Sequence, residues 1–129
     1  MFIQRNIFLL DASGAATTAA VHLVLLSPNF AYVGVSQILL NTLGFIALGY
    51  CAFSWFSWLT WPEYNRAKLL IIAIANALFC ATTLGIVLAY SATIPKVVMG
   101  YWVIEAAIIL AMVIAELSIR KKLEIEKAE

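Results

Sequence analysis

Apolar and polar positions along this chain fall into long blocks rather than the short repeats of a soluble domain. Four apolar runs, each of about twenty residues or more, cover 7–27, 36–60, 68–90 and 97–118, and a polar tail follows at 119–129. Turn chemistry collects at the breaks. Ser27-Pro28-Asn29 closes the first run, Pro62 the second, Ser91-Ala92-Thr93-Ile94-Pro95 the third and Arg120-Lys121-Lys122 the fourth. Proline stops a helix because it has no amide hydrogen to donate. A run of about 21 residues, rising about 1.5 Å each, spans ~31 Å, which matches the hydrocarbon core of a bilayer. Backbone groups find no water there, so each run has to be helical. The pattern predicts an all-α fold, a four-helix transmembrane bundle that forms a single domain over 1–129.

The start of the chain has a basic residue ahead of an apolar run, as a signal peptide does. Asp11 and Ser13 interrupt that run, and apolar sequence continues to Leu26. It reads as a retained first span. The tail mixes both signs of charge and is expected to extend the last helix a few turns into water.

Basic residues set the expected orientation. Arg5, Arg66, Lys68, Arg120, Lys121, Lys122 and Lys127 fall on one side of such a bundle, and Lys96 stands alone on the other. Positive residues concentrate on the cytoplasmic side, so both termini are expected there. Trp55, Trp58, Trp61 and Tyr64 form an aromatic belt at that end, with Tyr32, Tyr90, Tyr101 and Trp102 toward the opposite interface; these residues read chiefly as anchors.

Composition narrows the function classes. Hydrophobic residues make up 64% of the chain and charged residues 12%, with a mean hydropathy of +0.98. Soluble domains carry about 25% charge. A soluble enzyme, a nucleic-acid binder and a disordered tail are excluded on that balance, and a net charge of +1 offers no field for nucleic acid. Cys51 and Cys80 form no CxxC pair, so no metal site is expected, and as lone thiols they read as small buried groups. One histidine, His22, cannot supply a bis-histidine haem. Phosphate-binding glycine loops, HExxH and GxSxG are missing. No cofactor is expected, and the balance is against an enzyme.

Small residues recur at every fourth position in three spans. They are Ala12, Ala16 and Ala20; Ala73, Ala77, Ala81, Gly85 and Ala89; and Ala107, Ala111 and Ala115. Small side chains let membrane helices approach closely, so these ladders predict a tight bundle or an oligomer held by its helices.

Chemistry in such a protein rests on its intramembrane polar residues. Asp11, Thr18 and His22 occupy one face of the first helix, and Glu105 and Glu116, also eleven apart, share a face of the fourth. Asn76, Cys80 and Thr83 stripe the third helix; Gln37 and Asn41 begin a stripe on the second. Four stripes meeting at the centre would make two layers. Asp11 and Glu116 pair near the cytoplasmic interface, His22 and Glu105 pair in the outer half with Asn41 nearby, and Asn76 lies closer to the midplane. Charge at the bilayer centre costs ~2.5–3.5 kcal/mol on insertion scales, so carboxylates there need a proton, a partner or water. Two of them in contact cannot both stay ionised. Asn41 and Asn76 also suit interhelical hydrogen bonding.

The segments Arg5-Asn6-Ile7-Phe8-Leu9-Leu10-Asp11 and Ile74-Ala75-Asn76-Ala77-Leu78-Phe79-Cys80, followed by Tyr101 with Glu105, resemble a group of small four-helix bacterial integral membrane proteins. The resemblance implies the same fold and a bacterial inner membrane, and it brings no activity with it. Small multidrug transporters carry a glutamate in their first helix, where this chain has Asp11 and His22. The polar track of small fluoride channels is not recognised here either.

Three functions fit these residues. The first is an oligomeric proton- or cation-linked transport protein with a polar route through Glu105, His22, Asp11, Glu116 and Asn76, supported by Asn41, Thr18, Thr83 and Cys80. The second is a non-catalytic accessory subunit of a larger membrane complex. The third is an intramembrane acid–base enzyme on a lipid or isoprenoid, which needs a pocket beside Glu105. The expected partners are the lipid bilayer and further copies or a larger complex.

Overall fold

Pro28 shifts the hydrogen-bond register of the first helix without ending it. In the computed structural model, which describes residues 2–61 and 63–128, α1 (Phe2–Ala20) continues into a π-helical stretch, Val21–Leu26. A 3-10 turn, Ser27–Asn29, and a last α-helical turn, α2 (Phe30–Val33), follow. Ser27 N–H closes the wide turn on His22 O, and Phe30 N–H closes the tight one on Ser27 O. A wide turn before the proline and a tight one after it redistribute the bonds around the missing donor. The stop expected at Ser27-Pro28-Asn29 therefore falls at Gly34, and Arg5–Val33 forms one rod of 29 residues.

The other spans are α3 (Gln37–Leu59), α4 (Asn65–Ala89) and α5 (Lys96–Ala128). Ser36 starts α3 by accepting Leu39 N–H on its hydroxyl at 3.2 Å, an N-cap that satisfies an otherwise unpaired donor. Pro62, expected to stop the second span, lies outside the described residues. At that end α3 stops at Leu59, Thr60 N–H bonds to Phe56 O, and Lys68 Nζ donates to the Thr60 hydroxyl at 2.5 Å. All four rods are long and apolar enough to cross a membrane. The 33 residues of α5 extend ~50 Å, well beyond ~30 Å of hydrocarbon. The overhang carries an Arg120–Glu124 ion pair at 2.9 Å.

The helices pack as two couples. The first rod lies along α3 and α4 lies along α5, whereas α1 and α5 touch sparsely. Gly44 permits the first couple: a Cβ there would stand 2.5 Å from the Leu23 side chain. Apolar clusters close the two ends of the bundle. At one end Ile7, Phe8, Leu69, Ile72 and Leu123 interlock. Arg5 Nε donates to Trp58 O at 3.1 Å with its guanidinium 4.6 Å above the Trp58 ring, and Trp58 Nε1 donates to Asn6 Oδ1 at 3.3 Å. At the other end Val33, Leu40, Phe79, Ile94, Val98 and Trp102 are buried together. Trp102, expected at the interface, is fully buried instead.

The small-residue ladders face mostly outward. Ala12 and Ala73 are buried, but Ala16, Ala20, Ala77, Ala81, Gly85, Ala89, Ala107 and Ala111 are exposed. Tight packing inside the bundle uses Gly44 and Ala47 on α3 instead.

Gly34 ties the two short loops together. Its φ is +82°, a left-handed conformation, and a Cβ there would lie 2.3 Å from Thr93 O. The Thr93 hydroxyl in turn donates to Gly34 O at 3.0 Å. A side chain in this conformation costs roughly 1–2 kcal/mol before any clash. Gly34→Ala is expected to lower the unfolding midpoint by at least that equivalent, followed by tryptophan fluorescence during denaturant titration in detergent. An unchanged midpoint would show that the two loops part without cost.

Candidate functional site

Each of the four crossing segments contributes one side chain to a single buried polar node. Asp11 comes from α1, Ser54 from α3, Asn76 from α4 and Glu116 from α5. Asn76 Nδ2 donates to Asp11 Oδ1 at 2.8 Å and to Glu116 Oε1 at 3.1 Å. Ser54 Oγ donates to Asp11 Oδ2 at 2.5 Å. Glu116 and Ser54 are completely buried, and Glu116 Oε2 has no partner. The node thus brings Asp11 and Glu116 together, as their depths predicted, with Asn76 as the bridge between them.

His22 and Glu105 do not form the second expected pair. Both imidazole nitrogens are already engaged. Indole nitrogen is a donor only, so the Trp102 Nε1–H group, 3.2 Å away, requires His22 Nε2 to accept. Nδ1 then carries the hydrogen and donates to Thr18 O at 2.8 Å. Trp102 also stacks on the ring with centroids 6.2 Å apart, and the Phe79 ring stands edge-on at 6.3 Å. The physical reason is register on α5: Trp102 lies one turn before Glu105 and reaches His22 first. His22, fully buried in the widened turn, holds the first rod to α5.

Glu105 faces a chamber of about 450 Å³ between α1 and α5. Gly14, Thr17 and Thr18 line it from α1, Tyr50 from α3, and Asp11 and Asn76 from the node. Glu105 is 7% exposed, and neither carboxylate oxygen has a donor in hydrogen-bonding geometry, although the Tyr101 hydroxyl, one turn earlier on α5, lies beside it. The chamber exists because α1 leans on α3 while α5 leans on α4, which leaves a gap between the couples at this height.

The remaining polar positions are local. Thr83 is buried and donates to Phe79 O of its own helix at 2.9 Å. Cys80 Sγ lies 3.5 Å from Ala106 O, where α4 meets α5. Asn41 Oδ1 accepts from the Ser27 hydroxyl beside the π-helical stretch. Gln37 is exposed, so the second helix has no polar stripe running from it into the centre.

Ser54 and Trp102 were missed in the sequence, for different reasons. Leu40, Ala47 and Ser54 lie seven apart on one buried face of α3, a register hidden when the stripe is started at Gln37. Trp102 sits beside Tyr101 near a span end, where an anchoring role is the usual one.

The arrangement defines an integral-membrane-type helical bundle with an acidic, laterally placed chamber. No protein-family model, curated protein or solved structure matches the chain.

Two substitutions probe the buried contacts. Asn76→Ala removes the donor shared by two buried carboxyl groups and is expected to cost about 1–3 kcal/mol of stability, read as a lower denaturation midpoint in detergent. Asn76→Ala with wild-type stability would mean that the node carries no structural weight. For His22, nitrogen-15 spectra should show a protonated Nδ1 and a bare Nε2, and Trp102→Phe should shift the Nε2 resonance as it loses its donor while the Thr18 carbonyl keeps the proton on Nδ1.

Proposed function

We propose that the protein is a proton- or cation-linked transport protein of a bacterial inner membrane, with both termini in the cytoplasm. The observation that carries this reading is Glu105, whose two carboxylate oxygens are buried at the chamber wall without a partner. A carboxylate in that position holds either a proton or a cation, and exchange of one for the other is the elementary step of linked transport. Asp11, Asn76 and Glu116 continue the polar path from the chamber floor toward the end that carries Arg5 and Arg120. His22 enters as a positioning residue rather than a relay, because both ring nitrogens are held. The grouping of seven basic residues at that same end supports the orientation, and the resemblance to small bacterial four-helix proteins supports the compartment.

The second reading, a non-catalytic subunit of a larger membrane complex, draws on the outward small-residue ladders. Ala77, Ala81, Gly85 and Ala89 form an exposed strip on α4, and Ala107 and Ala111 add another on α5. Such strips suit close approach by a further helix, supplied by another copy in the first reading and by a different protein in the second. An acid–base enzyme built on a Glu105–His22 pair has less support, since Trp102 occupies His22.

The decisive measurement is flux in liposomes under an imposed proton or monovalent-cation gradient. Wild-type protein is expected to exceed protein-free vesicles, and Glu105→Gln is expected to lose at least ~10-fold of that flux, since its amide cannot carry the exchanged charge. Flux that survives Glu105→Gln intact overturns the transport reading. A foreign subunit in stoichiometric amount after mild extraction, seen by native mass spectrometry, would favour the second.

A further inference from the structure

The buried, unpaired polar atoms of the chamber wall are the two carboxylate oxygens of Glu105, both hydrogen-bond acceptors. The hydroxyls of Ser13 and Thr17 donate to Leu9 O at 3.0 Å and Ser13 O at 2.9 Å. Tyr50 gives its hydroxyl to Ala75 O at 3.0 Å. The Asn76 amide is taken by Asp11 and Glu116. What remains are the two Glu105 oxygens, both buried and neither in hydrogen-bonding geometry with a donor, together with the Thr18 hydroxyl and the Tyr101 hydroxyl beside Glu105. The rest of the wall, from Phe79 and Tyr101 to Ile104, Ile108 and Met112, is aromatic or aliphatic. A buried acceptor left unpaired is costly, so an occupant that suits this wall brings N–H donors to Glu105 and an apolar body to everything else.

The mouth of the chamber gives the route. Ser13, Gly14 and Thr17 on α1 and Ile104 and Ile108 on α5 line the chamber and are also exposed. The opening therefore faces sideways between two membrane-crossing helices, and a ligand arriving there is dissolved in lipid. Charge selects further. An anionic head would meet Glu105 and Asp11, and an alcohol brings one donor and no compensating charge. An ammonium group brings three donors and the opposite charge, and aromatic faces such as those of Phe79 and Tyr101 attract cations as well. About 450 Å³ lies within the ~300–1,000 Å³ usual for small-molecule sites.

We propose that this chamber binds a lipophilic primary amine in its ammonium form, entering from the bilayer between α1 and α5 with its head on Glu105. As the transported species, the amine rests on the transport reading above; as a ligand, it is tested without flux.

Calorimetric titration of the protein in lipid nanodiscs with phenylbutylamine at neutral pH, against empty nanodiscs, is expected to show saturable binding. The isosteric phenylbutanol should bind at least ~10-fold more weakly, since it lacks the charge-assisted bond, and phenylpentanoate should not bind. Glu105→Gln should weaken amine binding at least ~10-fold. Gly14→Trp, at a position where added atoms meet open space, should obstruct the mouth and abolish binding with the unfolding midpoint unchanged. Equal binding of amine and alcohol, or full amine binding by Glu105→Gln, overturns the inference. Amine binding without any flux overturns the transport reading alone, and flux without amine binding overturns this inference alone.

Discussion

One asparagine amide holds the bundle's polar centre. Hydrocarbon gives apolar helix faces little reason to prefer one another, so in a bilayer the rotation of each helix depends on close packing and on hydrogen bonds that have no alternative partner. Asn76 reaches α1 and α5 from α4, and Ser54 adds α3 through Asp11. The four rods are thereby fixed in angular register at one junction, with His22–Trp102 and Cys80–Ala106 as buried links between single pairs of rods. The apolar clusters at either end follow from that register: Phe8 meets Leu69 and Leu123, and Trp102 meets the core around Leu40 and Val33.

The same node explains why the bundle divides into couples without falling apart. Gly44 lets α3 accept Leu23, and the Cys80–Ala106 approach draws α4 onto α5. Nothing of that kind joins α1 to α5 at the height of Gly14 and Ile108. The node below and the His22–Trp102 bond above bracket the gap, so an open chamber persists between two fixed crosspieces. Glu105 belongs to that gap rather than to either crosspiece, which is why, among the buried carboxyl groups of the described residues, it alone has neither oxygen in hydrogen-bonding geometry with a donor.

Much of this was legible in the residues. Block hydropathy gave the four rods, because lipid allows a long apolar run no other backbone solution, although Pro28 shifts the first rod's hydrogen bonds instead of ending it. The spacings of Asp11 and Glu116 placed the two at matching depths, whereas Asn76, read as closer to the midplane, reaches both. The His22–Glu105 pair failed because helical periodicity states which residues share a face, not which neighbour one turn away arrives first. Trp102 won that contest with a longer, rigid side chain carrying a single donor. The small-residue ladders misled for a related reason: small size marks a surface where something approaches closely, and it is silent on whether that something belongs to the same chain. The chamber had no signature at all, since it results from the way α1 and α5 lean apart.

The π-helical stretch at Val21–Leu26 has a consequence for how this chain tolerates length change. A π turn accommodates one residue more than an α turn in the same rise, so everything beyond it is rotated by about 100° relative to an uninterrupted helix. The stretch behaves as a phase adjuster set between two halves of one rod: the half bearing Asp11 and Thr18 keeps its face toward the node, while the half bearing Ser27 and Val33 is turned to meet Asn41 and the far loops. Removal of a single residue from it would relax the rod to a regular α-helix with both halves keeping their faces, whereas removal of one residue elsewhere in the rod would turn the halves about 100° apart. A one-residue deletion would therefore be absorbed at this stretch, the place in the rod where the chain carries a spare residue.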